Sequence, residues 1–160
     1  MNNNNNLKVK ETFALAVQNH QKNNFKVAEN LYKKILKTNP NHASSHNNLG
    51  LILHAYKDLQ QARDCYEKAI AIESNYVNAY YNLGLVLKEL GERKKAIDNY
   101  EKAIEINPNF AQTHNNLGIV FKELGENQQA KSCFQKAIQI NPNYAAAHNN
   151  LGPVLSLIHI

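Results

Sequence analysis

At 160 residues the chain has the size of one domain. Its formal net charge of +5 is local: residues 1–42 hold seven lysines against two glutamates, and the rest is close to neutral. No run approaches the roughly 20 apolar residues that cross a bilayer, and the asparagine-rich start lacks the apolar centre of an export signal, so neither a membrane span nor secretion is expected and the protein reads as cytoplasmic.

Residues 1–8 are expected to be disordered, since Asn2–Asn6 is a low-complexity run. Beyond them a period sets in. Gly50, Gly84, Gly118 and Gly152 fall 34 residues apart, each preceded by a leucine (Leu49, Leu83, Leu117, Leu151). Twelve residues after the first three glycines stand Ala62, Ala96 and Ala130, followed by Tyr66, Tyr100 and Phe134 and then by Ala69, Ala103 and Ala137. Pro108 and Pro142 close two of the units, and Ala28, Tyr32 and Pro40 keep the register upstream, with Ala16 in the glycine column. The period divides an array over 9–152 into units 9–42, 43–76, 77–110 and 111–144, with a partial fifth from 145. A repeat of about 34 residues is that of stacked helix-turn-helix units, each touching only its neighbours. The first unit departs most, with Asn19 and Ile35 in columns that are apolar and alanine elsewhere.

The third unit shows how the repeat makes structure. Tyr80, Leu83, Gly84 and Leu87 fall on one face of a helix, and Ala96, Tyr100, Ala103 and Ile104 make the matching face of the next. Gly91 lies between them, where a left-handed backbone ends the first helix, and Pro108 ends the second. Gly84 and Ala96 are small so that the axes can approach, while Tyr100 fills the space between. In the second unit Lys57-Asp58 replaces the glycine turn and Ser74 the closing proline; Asn23-Asn24 forms the turn of the first. The end of the chain breaks step. Residues 145–152 (AAAHNNLG) open a fifth unit, but Pro153 interrupts it, and Leu155, Leu157, Ile158 and Ile160 make an apolar end. Residues 153–160 therefore read as a non-repeat tail. Solenoids normally finish on a polar cap, so two readings stay open: a longer array cut short, with 156–160 foreign to it, or an end that self-associates.

The segments YYNLG…Gly91…Ala96…Tyr100…Ala103…Pro108 and HNNLG…Gly125…Ala130…Phe134…Ala137…Pro142 resemble tetratricopeptide repeats. The resemblance implies an all-α, right-handed α-solenoid of helix-turn-helix repeats that binds proteins or peptides and carries no chemistry of its own. In that family the column Asn48, Asn82, Asn116 and Asn150 lies on the concave inner surface. Beside it run Asn47, Tyr81, Asn115 and Asn149, with Leu51, Leu85 and Ile119 one turn on and Lys88 and Lys122 further along. An asparagine amide offers two donors and an acceptor and so can pair with a peptide main chain whatever its side chains. Units stacked at roughly 10 Å would present one amide per ~3 residues of an extended peptide. The column resembles the asparagine ladder of the O-linked N-acetylglucosamine transferases, which keeps open the alternative of a substrate-recognition arm of a larger glycosyltransferase whose catalytic part is not in this chain. The lysine-and-arginine clamp with which some relatives hold a terminal carboxylate is missing, since Phe13, Val17, Asn47 and Asn78 stand at the corresponding places.

His46, His114 and His148 also keep the period, in the column of Tyr80. Each belongs to a different unit, about 10 Å or more from the next, too far for one zinc ion, so they read as packing histidines and no metal or other cofactor is expected. Cys65 and Cys133 lie two units apart, beyond the ~7 Å reach of a disulfide, and read as reduced. No phosphate loop, nucleophile elbow or carboxylate pair appears, so the chain is not expected to be an enzyme. Lys33, Lys34 and Lys37 read as a solvated helix face rather than a nucleic-acid site.

Overall fold

The computed structural model describes residues 2–158. Among them it contains nine α-helices and no strand: α1 (Asn2–Gln21), α2 (Phe25–Thr38), α3 (Ala43–Ala55), α4 (Leu59–Ile72), α5 (Val77–Glu89), α6 (Arg93–Ile106), α7 (Ala111–Glu123), α8 (Asn127–Ile140) and α9 (Ala145–Ile158). The first helices of the repeats are the odd-numbered ones and the second helices the even-numbered ones. The chain forms two compact units that divide between Ala79 and Tyr80.

The period-34 residues make the core of each unit. In the first, Ala28, Tyr32, Ala62, Tyr66 and Ala69 are fully buried; in the second, Ala96, Tyr100, Ala103, Ala130, Phe134 and Ala137 are. The glycines are needed for the rings. A Cβ at Gly50 would stand 2.7 Å from the Tyr66 ring, one at Gly84 2.5 Å from Tyr100, and one at Gly118 2.7 Å from Phe134. Helices α3, α5 and α7 thus each offer bare backbone to the aromatic side chain of the following second helix. That contact offsets the roughly 1 kcal/mol that glycine costs inside a helix.

The turns follow the expected chemistry with one exception. Gly91 (φ 79°) and Gly125 (φ 80°) take the left-handed conformation that stops α5 and α7, and Asn23 (φ 61°) does so after α1. After α3 the same place is filled by Lys57 (φ 63°), a residue with no intrinsic preference for that region. Asp58 then accepts from the Gln61 N–H and caps α4.

Both ends differ from the sequence-based expectation. The asparagine run expected to be disordered belongs to α1, which starts at Asn2; Met1 lies outside the described residues. No glycine or proline interrupts the segment. Asparagine in a helix interior costs only about 0.7 kcal/mol or less once a helix is nucleated downstream. At the other end α9 continues through Pro153 to Ile158, where the sequence suggested a break and a non-repeat tail. Proline removes one backbone hydrogen bond, but packing holds the last turns. Val154 is fully buried against Ala130 and Phe134, with Leu151 and Ile158 beside it. Of the expected apolar end, Leu157 stays 51% exposed, and Ile160 lies outside the described residues.

Candidate functional site

The candidate residues lie on the stripe of each first helix that its second helix leaves uncovered. In the first unit this is the Asn47, Asn48 and Leu51 edge of α3. Asn48 donates from Nδ2 to the Tyr32 hydroxyl at 3.3 Å and accepts from Asn47 Nδ2 at 3.2 Å. Asn47 is buried, whereas Asn48 and Leu51 are half-buried. Phe13, at a place where a clamp would need a cation, instead packs its ring 4.9 Å from His42 and 6.0 Å from Tyr32.

In the second unit the stripe runs over three helices. Tyr81, Asn82, Leu85 and Lys88 come from α5, Asn115, Asn116, Ile119 and Lys122 from α7, and Asn149 and Asn150 from α9. Two side-chain bonds tie the helices together. Asn116 Nδ2 donates to the Tyr81 hydroxyl at 3.0 Å, and Asn150 Nδ2 donates to Asn115 Oδ1 at 3.0 Å. Tyr81 also stacks 5.0 Å from Phe110, which precedes α7. Burial raises the Tyr81 pKa, and the Asn116 bond opposes that rise, so the hydroxyl stays protonated at neutral pH. Asn82 and Asn115 are buried, Asn116 and Asn150 half-buried, and Asn149 exposed. The column is therefore not a row of equivalent free amides.

The periodic histidines have a use that sequence reading missed. His46 Nε2 bonds the Pro40 carbonyl at 2.8 Å, His114 the Pro108 carbonyl at 2.9 Å, and His148 the Pro142 carbonyl at 2.8 Å. Each bond pins the loop entering a first helix to that helix's first turn. The signal was in the sequence as a covariation: histidine stands six residues after each of these prolines, and Tyr80 six after Ser74. Among the described residues no three histidine, cysteine, aspartate or glutamate side chains are grouped to hold a metal ion. Cys65 and Cys133 are free thiols, and burial pushes each pKa up to about 11. At neutral pH they are protonated and poor nucleophiles. No helix of the described residues is long and apolar enough to cross a membrane.

Comparison with known families agrees with this architecture. Tetratricopeptide repeat models match residues 77–110 and 111–144, and two further models of the same repeat match 31–64 and 53–91. The first two matches coincide with the third and fourth units of the sequence period. Sequence comparison with curated proteins gives no match. Among solved structures, MamA is 27% identical, with a TM-score of 0.83 over 90% of this chain and 84% of that one. PilF of Pseudomonas aeruginosa is 22% identical, with a TM-score of 0.88 over 98% and 71%. YrrB, described as a tetratricopeptide repeat protein with an unusual peptide-binding site, is 24% identical, with a TM-score of 0.79 over 92% and 76%. The all-α helix-turn-helix solenoid fold is shared with all three. The chain belongs to the tetratricopeptide repeat family.

Proposed function

We propose that the chain is a non-catalytic scaffold that grips an extended protein or peptide segment along the stripe of α5, α7 and α9, with Asn48 and its neighbours on α3 offering a like edge in the first unit. One observation carries this reading. Asn116 and Asn150 each spend a donor on a neighbouring first helix, which fixes the amide planes and leaves each Oδ1 to accept from a peptide N–H. A pre-ordered acceptor loses little side-chain entropy on binding. Leu85 and Ile119, half-buried one turn away, add an apolar strip. The peptide-binding site named for YrrB makes such a use reasonable for this fold. The likeness to the glycosyltransferase superhelix rests on the asparagine column alone.

Selection of binders from a displayed peptide library, followed by titration, tests the proposal. Each amide hydrogen bond contributes about 0.5–1.5 kcal/mol, so Asn116→Ala with Asn150→Ala should weaken a selected peptide by roughly 1–3 kcal/mol while the helical content is kept. Asn82 is a poor probe, because it is 7% exposed and its loss would disturb packing. Unchanged affinity in the double variant would sink the groove assignment.

A further inference from the structure

Some charges pair off on or next to the second helices. Arg63 bonds Glu67 at 2.9 Å, Lys95 bonds Glu92 at 2.5 Å, and Lys102 bonds Glu105 at 2.7 Å. Lys88 on α5 and Lys122 on α7 are the lysines on the first helices of the second unit. Both are half-buried, and neither has a carboxylate partner among the described residues. Of the acids that follow them in sequence, Glu123 is engaged elsewhere. It reaches Arg93 on α6 at 3.1 Å.

Helix geometry puts the two lysines on the amide stripe. Lys88 follows Tyr81 by seven residues and Lys122 follows Asn115 by seven, which is two turns, or about 10.5 Å, along the same face. The Asn116–Tyr81 bond holds those two faces side by side. The rest of the stripe brings tyrosine, asparagine, leucine and isoleucine, and no acid. The result is a pair of ammonium groups without a carboxylate partner on neighbouring helices, flanking side-chain amide oxygens that can accept from a peptide main chain.

We propose that this groove selects an acidic extended peptide with carboxylates at positions i and i+3, one for Lys88 and one for Lys122. The spacing follows from neighbouring helices at about 10 Å and an extended chain at about 3.3–3.6 Å per residue. The inference rests on the groove reading above and adds the partner's chemistry to it. The alternative polyanion, a single-stranded nucleic acid, fits less well. The stripe offers one aromatic ring, Tyr81, and that ring already packs at a tilt against Phe110, whereas single-strand binders present several rings for bases.

The test uses fluorescein-labelled twelve-residue peptides, one with glutamate at i and i+3 and one with glutamine at both, read by anisotropy against the full chain. The glutamate peptide should bind about tenfold more tightly at low salt, since half-exposed ion pairs contribute modestly and are screened. That preference should vanish in Lys88→Gln with Lys122→Gln and survive in Lys94→Gln with Lys131→Gln, which removes the same net charge elsewhere. Lys88→Glu with Lys122→Glu should reverse it toward a peptide carrying lysine at i and i+3. Equal binding of the glutamate and glutamine peptides, with affinity still lost in the Asn116 and Asn150 double variant, would overturn the acidic preference and leave the groove standing. Equal loss in the Lys94 and Lys131 control would overturn it in favour of diffuse attraction. Displacement by an equal concentration of mixed-sequence single-stranded RNA would overturn it in favour of nucleic acid. Failure of every peptide to bind would bring down the groove reading as well.

Discussion

The two compact units build the same repeat with different materials. The second, from Tyr80 onward, makes its left-handed turns with Gly91 and Gly125; the first makes them with Asn23 and Lys57. Three histidines with lowered pKa, His20, His42 and His46, all lie in the first unit. Yet the buried pairing of a small residue with a large ring is common to both, as Gly50 with Tyr66 and as Gly84 with Tyr100. The difference teaches which parts of the repeat are indispensable. The glycine-and-ring seat recurs in both units, whereas a turn can be made by an unsuited residue at a local cost.

The strongest way to break that comparison is to empty the seat. Tyr100→Ala in the second unit and Tyr66→Ala in the first should each lose about 3–5 kcal/mol of stability in denaturant titrations. Losses under 1 kcal/mol in either would show that the rings are not the common element. Tyr100→Phe should be neutral or stabilising. The Tyr100 hydroxyl is buried with no hydrogen-bond partner, and Phe134 holds the equivalent position.

Crowding the seat should come next. Gly84→Val is expected to cost about 1–3 kcal/mol, because the ring 2.5 Å from the new Cβ is itself packed on all sides. Gly152 keeps the register but meets nothing within 4 Å. Gly152→Ala should therefore gain up to about 1 kcal/mol from helix propensity alone. A destabilised Gly152→Ala would contradict the steric account of the whole column.

The turns sharpen the comparison at a lower magnitude. Lys57→Gly should stabilise the first unit by about 1 kcal/mol by removing left-handed strain. Gly91→Ala should weaken the second by a similar amount, although a Cβ there meets open space. Thermal melts of the two variants that move in the same direction would refute the conformational argument.

The smallest effect is one of pH. Burial lowers the pKa of His20, His42 and His46 below 6.5. In His42 the neighbouring His46 adds to the shift, while in His46 the Pro40 carbonyl bond opposes it. Between the lowered folded values and 6.5 the unfolded chain binds more protons. The stabilisation is therefore complete above 6.5 and is lost as pH falls from there through the folded values. Hydrogen-exchange protection factors measured at pH 7.5 and pH 5 should drop in α1 to α3 more than in α7 and α8. A uniform drop would remove the distinction between the units.

Most of the helices were legible because one column of residues repeats its chemistry every 34 positions, and burial of that column leaves little choice of partner. The ends were not. Asn2–Asn6 continues α1 because a helix already nucleated downstream extends through it at low cost, and α9 survives Pro153 through packing by residues outside the repeated pattern, such as Val154 on Phe134. The histidine column was visible, but its meaning lay in a proline carbonyl six residues back, which periodicity does not identify.

The stripe of candidate residues marks the boundary most sharply. Asn48, Asn116 and Asn150 occupy one column of the sequence, and the sequence determined that each would stand on a first helix. Only the tertiary structure decided that the first bonds Tyr32, the second Tyr81 and the third Asn115. Helix faces follow from apolar periodicity, which many similar residues satisfy. A hydrogen bond needs one particular acceptor within about 3 Å, and which side chain supplies it depends on neighbours that the period brings close but does not choose.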